Sequence, residues 1–254
     1  MFRRPHSGAH NEGRAYEELY CRGFILGAVS AGSGRCCGRG GHEAHGSDSS
    51  RGRGCDCGVA RPRQYRCGAS SDQRHYQRDA PVKAWREAYR LFKTKKGARC
   101  SIENLLKRVL KGKPVGHITP AVDIYNTVSL TYALPVGGED LHAIEGDLRL
   151  KVTDGGDAFL PLGEEADDPT LPGELAYIDD AGAVCRCWNW RDGVRTALSD
   201  DSADAFLAIE CVEPEQMGDC QAAIDRLAEL LERYLGATVV VKTLVTRDNS
   251  CVEL

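Results

Sequence analysis

The sequence lacks several features that define common protein classes. It has no run of about 18 apolar residues, so it offers no candidate for a membrane-spanning helix. The apolar segment 24–26 is too short for the core of a signal peptide, so we expect a cytoplasmic protein with reduced cysteines. Only His117 and His142 follow residue 79, and neither lies near a nucleophile motif, which argues against a hydrolase of the Ser-His-Asp type.

Lysine is absent from the first part of the chain. Residues 1–80 have no lysine but contain 13 arginines, 8 acidic residues, 14 of the 28 glycines and 6 of the 12 cysteines. No helical or alternating pattern persists there, and little apolar surface is available for burial. We therefore expect residues 1–79 to be a disordered, low-complexity segment.

Three explanations of this segment remain open. A zinc module is disfavoured because adjacent Cys36 and Cys37, and Cys55 and Cys57 one residue apart, do not match the paired ligands of zinc sites, so we predict no metal. An arginine- and glycine-rich RNA-binding tail would need more aromatic residues to stack on bases. We favour the third explanation, a GC-rich gene translated out of frame, which predicts an insertion or deletion in the coding DNA near codons 70 to 80.

Residues 80–254 show clear but mixed periodicity. Helices are predicted over 79–92, from Ser101 to about Gly112 and over 217–234, and strands over 146–153, 174–178, 183–190 and 205–212. A further strand over 238–245 is predicted to be central. Because strands and helices do not alternate strictly, we expect one α+β domain of mixed sheets flanked by helices.

The first two predicted helices are strongly basic. Residues 83–113 contain 11 basic and 2 acidic residues, whereas residues 114–254 contain 9 basic and 27 acidic ones. Such a cluster is either a solvated helix face or a docking surface for a polyanion, with no DNA or membrane partner expected. The residues predicted to bind RNA are Lys93, Lys95, Lys96, Arg99, Lys107, Arg108, Lys111 and Lys113.

The segment 119–140 predicts a polar helix followed by a glycine turn. Thr119 is a suitable N-cap and Pro120 suits the first helical position. The helix has an unusual density of short polar side chains, which lower helix propensity and therefore indicate another role. Gly137 and Gly138 allow a close backbone approach, so the segment could line a pocket.

Two further features indicate the same pocket. The pentapeptide 188–192 ends a predicted strand and supplies either core tryptophans or an aromatic wall with Asn189 and Arg191 directed at a polar ligand. Glu210 interrupts a nearly continuous apolar strand, where a carboxylate is costly unless it is hydrogen-bonded. It is either a charge at the strand edge or a site residue.

These segments occur together in an order that resembles the B3/B4 domain of the bacterial phenylalanyl-tRNA synthetase β subunit, and more closely the free-standing B3/B4 proteins. The segments that carry the resemblance are 81–89, 109–114, Ile118-Thr119-Pro120-Ala121-Val122-Asp123-Ile124-Tyr125-Asn126, 134–138, 144–147 and Cys187-Trp188-Asn189-Trp190-Arg191-Asp192. The resemblance implies a compact α+β unit and, in the synthetase, an editing pocket that hydrolyses mischarged tyrosine from its tRNA. Where the synthetase has His-Ala-Phe-Asp, this chain has Gly137-Gly138-Glu139-Asp140, so the tyrosine preference does not carry over.

The resemblance also implies roles for individual residues. We expect a tRNA-binding protein that hydrolyses mischarged aminoacyl-tRNA in trans, or a non-catalytic module that binds tRNA or an amino acid, in both cases with no cofactor. The predicted catalytic residues are Asn126, Thr127 and Glu210. The predicted substrate-binding residues are Asp123, Gly137, Gly138, Trp188, Asn189, Trp190 and Arg191.

Overall fold

A computed structural model of the chain describes residues 22–31 and 80–253, with the main chain alone for the first of these ranges. It has the predicted α+β architecture. The helices are α1 (Ala80–Ala88), α2 (Ser101–Leu110), α3 (Pro120–Tyr132) and α4 (Met217–Leu235). The strands are β1 (Arg22–Ala31), β2 (Val136–Asp140), β3 (Arg149–Val152), β4 (Leu175–Ile178), β5 (Ala183–Arg186), β6 (Arg191–Asp192), β7 (Asp204–Cys211) and β8 (Ala237–Val245). None of the described helices is long and apolar enough to cross a membrane.

The polar helix α3 begins and ends as its sequence predicts. The Thr119 hydroxyl accepts a hydrogen bond from the Val122 amide, and Pro120 occupies the first turn. Ala133 ends the helix in the left-handed conformation with φ of 54°. The chain then passes directly into β2, so that the end of α3 fixes where Gly137 and Gly138 lie.

The first sheet is antiparallel and has the order β2-β7-β1-β8. Residues of β7 alternate between its two faces. Leu207, Ile209 and Cys211 join the larger apolar core, which also contains the buried faces of α3 and α4. Phe206, Ala208 and Glu210 therefore point to the opposite face, away from these helices.

The second sheet, also antiparallel, has the order β3-β4-β5-β6. A second apolar core packs α1 and the start of α2 against β4 and the residues that follow β5. Its centre is an edge-on contact of Trp85 with Trp188, with ring centroids 4.7 Å apart. This core brings the tryptophan motif against the face of β7 that carries Glu210.

Two expectations about strands are wrong. β8 is an edge strand of the described sheet and pairs with β1, not a central strand. The expected absence of regular structure before residue 80 fails for Arg22–Ala31, because β1 lies between β7 and β8. A strand is identified from pairing partners far away in sequence, which local periodicity does not reveal. The rest of residues 1–79 lies outside the described residues.

Candidate functional site

A cavity of about 80 Å³ lies between the two sheets, and its floor is made by β2 and β7. Gly137 pairs with Ala208, so two very small residues lie side by side on the face that meets the second sheet. A Cβ atom added at Gly137 would have no atom within 4 Å. The predicted glycine turn is thus a strand whose missing side chain leaves open space.

Glu210 is the centre of the hydrogen-bond network in the cavity wall. Its Oε1 atom accepts hydrogen bonds from the Tyr177 hydroxyl and the Trp188 indole N–H, both at 2.6 Å. Its Oε2 atom accepts one from the Asn189 side-chain amide at 2.5 Å. Burial raises the pKa of Glu210, and these three hydrogen bonds offset only part of that rise. Glu210 therefore orients three side chains of the wall.

The backbone that delivers the tryptophan motif is strained. Cys187 and Trp188 both have positive φ, 44° and 67°, a conformation that is costly for a residue as large as tryptophan. The Trp188 amide donates to the Leu175 carbonyl at 2.6 Å, and the Tyr89 hydroxyl donates to the Cys187 carbonyl at 2.8 Å. Several contacts thus hold the strained turn and aim the Trp188 indole at Glu210.

A buried ion pair supports this turn from behind. Arg186 donates to both carboxylate oxygens of Glu174, at 2.9 and 2.6 Å, and both side chains are fully buried. Glu174 also accepts from the Cys187 amide at 2.8 Å. Burial alone would raise the pKa of Glu174, but the Arg186 hydrogen bonds, the Leu171 and Cys187 amides and the charge of Arg186 together outweigh it, so the net shift is downward. The pair holds Glu174 ionised where it fixes the start of the turn.

Glu139 is the least satisfied carboxylate of the cavity. It is only 5% exposed, and its Oε2 atom has no hydrogen-bond partner among the described residues. Burial, with Asp192 adding to the effect, raises the pKa of Glu139 well above its ordinary value of 4.5, and the polar side chain of nearby Thr196 and the charge of Arg195 offset only part of the rise. Burial also raises the pKa of Asp192, against a hydrogen bond from Cys185. The cavity thus holds carboxyl groups that lack counterions.

Most of the predicted substrate-binding residues line this cavity. They are Gly137, Gly138, Trp188, Asn189 and Trp190, together with Glu210 from the predicted catalytic set. The sequence left open whether the tryptophans belong to the core or to the pocket wall, and Trp188 does both. It is fully buried in the second core, and its indole N–H donates to Glu210 in the cavity wall. Trp190 is half-buried and forms an aromatic wall.

The remaining predicted site residues lie elsewhere. Asn126, Thr127 and Asp123 are on α3 and are not part of the cavity wall. The Thr127 hydroxyl donates to the Asp123 carbonyl one turn earlier, at 2.8 Å. The Asp123 carboxylate holds the segment before the helix by contacting His117 and the Ile118 amide. Their predicted part in catalysis or substrate binding stays a prediction.

Arg191 also lies outside the cavity wall. It forms an ion pair with Glu164 at 2.9 Å and donates to the Leu162 carbonyl. The alternation along β6 explains this, since neighbouring Asp192 is the residue that faces the cavity. Its predicted role in ligand binding likewise stays a prediction.

The residues predicted to bind RNA divide into two groups. Lys95 pairs with Asp168, Arg99 pairs with Glu103 at 2.8 Å, and Arg108 donates to the Pro114 carbonyl. The other side chains have no ion-pair or hydrogen-bond partner among the described residues; they are Lys93, Lys96, Lys107, Lys111 and Lys113. α2 connects this surface with the cavity, because its first residue, Ser101, lines the cavity while Lys107, Lys111 and Lys113 lie at or beyond its other end.

Four polar residues of the wall were not among the predicted site residues, namely Ser101, Glu139, Tyr177 and Asp192. The signal for Glu139 was present in the sequence, since it lies two residues from Gly137 on a strand and must share its face. Tyr177 could not be found in this way, because its contact with Glu210 joins strands 33 residues apart. In the described residues no group of three or more His, Cys, Asp or Glu side chains could hold a metal ion.

Comparisons with known proteins find similarity to a solved structure and to a family model. Among solved structures, the N-terminal fragment of the phenylalanyl-tRNA synthetase beta subunit from Pyrococcus horikoshii gives a TM-score of 0.40 at 14% identity. The alignment covers 49% of this chain and 44% of that one, less than half of its length. A search of curated protein sequences finds no match. A family model described as the B3/4 domain matches residues 84–236, well over half of the chain, and the protein therefore belongs to the B3/4 domain family.

Proposed function

We propose that this protein binds tRNA and hydrolyses the ester bond of mischarged aminoacyl-tRNA in trans. The observation that carries the proposal is the position of the cavity at the start of a basic helix. Ser101 lines the cavity, and α2, which spans about 15 Å, leads from it to Lys107, Lys111 and Lys113, which have no ion-pair partner in the described part of the chain. A polyanion on these lysines would bring a terminal group of modest size to the cavity mouth.

The cavity wall offers groups that could recognise a substrate, but none of its described residues is a clear general base. All three hydrogen bonds to Glu210 come from protein groups, so its carboxylate is already occupied. We therefore assign Glu210 the role of a positioning residue, which holds Trp188 and Asn189 in place so that they can contact the substrate. Asn126 and Thr127 lie on α3 outside the cavity wall, so their proposed part in positioning the attacking water requires the ester bond itself to lie beside α3 and not inside the cavity.

A second candidate function is binding of aminoacyl-tRNA without hydrolysis. The specific observation in its favour is that no activated nucleophile lines the cavity in the described part of the chain. Cys185 is the one thiol in the wall, and burial raises its pKa well above the ordinary value, which keeps it protonated and unreactive. A binding module needs only the recognition that Glu210 and the aromatic wall provide.

Deacylation of a panel of mischarged tRNAs by the full chain separates the two candidates. Labelled aminoacyl-tRNA is incubated with and without protein, and ester loss is measured beside binding of the same tRNAs. Turnover of at least one aminoacyl-tRNA above the uncatalysed rate is the expected result. Binding without turnover would support the second candidate, and neither binding nor turnover would contradict both.

A further inference from the structure

The cavity wall carries acidic side chains and, among the residues that the structure describes, no basic side chain. Glu139, Asp192 and Glu210 all line it, and none of the described residues in the wall is Lys, Arg or His. Arg195 is near Glu139, but both of its terminal nitrogens are bound to the Asp179 carboxylate, at 2.8 and 2.7 Å. The described residues of the wall therefore include no charge that would balance these carboxyl groups.

Two polar atoms in the wall are buried and have no hydrogen-bond partner among the described residues. They are the Oε2 atom of Glu139 and the Oγ atom of Ser101. A buried unpaired polar atom costs about 1–3 kcal/mol, so such atoms are rare where no ligand or water is bound. Both can accept hydrogen bonds, and a carboxylate can only accept. A donor with positive charge is the ligand group that matches an ionised Glu139, and its charge would offset the burial that raises the pKa of this carboxyl group.

The rest of the wall suits the same ligand group. Trp188, Trp190, Tyr177 and Phe206 contribute aromatic rings, whose faces attract cations, and the floor at Gly137 and Ala208 is open. A phosphate or carboxylate would meet like charge here. An N-acylated amine is neutral, so it would give Glu139 no counterion. It has a single N–H and could therefore donate at most one hydrogen bond to the Glu139 carboxylate.

We propose that this cavity binds a primary ammonium group, the free α-ammonium of an aminoacyl ester, with Glu139 as its principal acceptor. The proposal rests on the proposed function for the identity of the ester, but its observations concern the cavity alone. Glu139 shares the strand face of Gly137, so an ammonium above the open floor lies beside its carboxylate. The consequence is specificity for aminoacyl groups with a free amine over N-acylated ones, such as peptidyl esters.

The test measures binding of amine probes to the ¹⁵N-labelled full chain. The chain has three tryptophans, and of these Trp188 and Trp190 line the cavity while Trp85 lies in the core behind. The indole N–H signals of these residues, assigned with Trp190→Phe, report binding directly. The probes are the amides of alanine, serine, phenylalanine and tyrosine, each beside its N-acetyl derivative. At pH 7 the free α-amino group, with a pKa of about 7.7–8.0, is mostly protonated.

At least one free amide is expected to shift the Trp188 and Trp190 signals and to bind about tenfold or more tightly than its N-acetyl derivative, since a buried charge loses its partner in the latter. Glu139→Gln should remove most of that preference. Glu145→Gln, an exposed glutamate outside the cavity, is the matched control and should keep it. The proposal would be overturned if each free amide bound no more tightly than its N-acetyl derivative, or if Glu139→Gln kept the preference for the free amide. It would also be overturned if no amide shifted the tryptophan signals.

A second arm separates this proposal from the proposed function. The full chain is given matched aminoacyl-tRNA and N-acetylaminoacyl-tRNA, and ester loss is compared. Faster hydrolysis of the free amine form is the expected result. Equal hydrolysis of both forms would overturn ammonium recognition and leave deacylation standing. Binding of the free amides without any tRNA affinity or turnover would remove the tRNA function and leave ammonium recognition standing.

Discussion

Glu139 and Glu210 are both buried in the wall of one cavity, yet their surroundings differ. Glu210 accepts from three protein donors, whereas Oε2 of Glu139 accepts from none of the described residues. Satisfied acceptors stabilise the fold, while unsatisfied buried charges cost free energy unless a ligand pairs with them. The first glutamate is thus part of the architecture, and the second has the character of a site residue.

Replacing Glu139 with glutamine is expected to stabilise the free protein at pH 7, because it removes a buried charge without a counterion. The pKa of Glu139 is raised in the folded state, so folding holds its proton more tightly and stability falls as pH rises above the ordinary value of 4.5 through the raised pKa. The gain at pH 7 should be about 1.4 kcal/mol for each unit by which the pKa is raised above 4.5, counted only up to pH 7 because a carboxyl group with a higher pKa keeps its proton in the folded protein.

The measurement is the free energy of unfolding in urea for wild type and Glu139→Gln at several pH values between 4 and 8. The difference between the two proteins should be small near pH 4.5 and should grow toward neutral pH. Taking the difference cancels the opposite slopes from Glu174, Asp168 and Asp179, whose pKa values are lowered. A difference that stays constant with pH would show that Glu139 keeps its ordinary pKa.

At the scale of the element, β2 combines two glycines with different tasks. Gly138 faces the apolar core, where an added Cβ would lie 2.4 Å from the Leu207 side chain. Gly137 faces the cavity and would meet nothing within 4 Å, and its φ lies outside the left-handed region. Gly138 is therefore required by packing, whereas Gly137 keeps a space open that packing does not require.

Gly137→Leu should fill the cavity and abolish ligand binding. It should change the free energy of unfolding by only about 0.5 kcal/mol or less, because substitutions that cause no clash usually have small effects on stability. Gly138→Ala is the comparison variant and should destabilise by about 1–3 kcal/mol through overpacking. Urea unfolding and the tryptophan indole signals with amino-acid amides measure both effects. Retained binding in Gly137→Leu would mean that the ligand does not occupy this cavity.

Elements with local signals could be predicted from the sequence, and contacts between distant elements could not. The cap at Thr119 and the proline after it fix the start of α3 from neighbouring residues alone. The cavity instead joins β2, β4, β7 and the residues after β5, and its Glu210 network depends on a strained turn at Cys187 and Trp188 that no periodicity reveals. The family resemblance correctly gave the fold, and six of the fifteen residues that line the cavity were among the predicted site residues, but Glu139 was not.

At the scale of the whole molecule, the described part of the chain is electrostatically divided. Lys93, Lys96, Lys107, Lys111 and Lys113 have no ion-pair partner among the described residues, whereas 27 acidic residues follow residue 113. β1 adds a constraint on the domain, since β8 pairs with it in the first sheet and a chain beginning at residue 80 would lose that partner. Tests of the positive surface therefore use the full chain.

Lys111→Glu combined with Lys113→Glu should weaken tRNA binding and flatten its salt dependence, because lysines that neutralise phosphates release counterions. For each phosphate that is no longer neutralised, the slope of log affinity against log salt should become shallower by about 0.7–0.9. Lys151→Glu combined with Arg233→Glu makes the same change in net charge on β3 and α4 and is the matched control.

Filter binding between about 50 and 200 mM salt covers the range in which phosphate neutralisation changes affinity strongly. Equal weakening in the two double variants would show that tRNA responds to net charge and not to the surface at the end of α2.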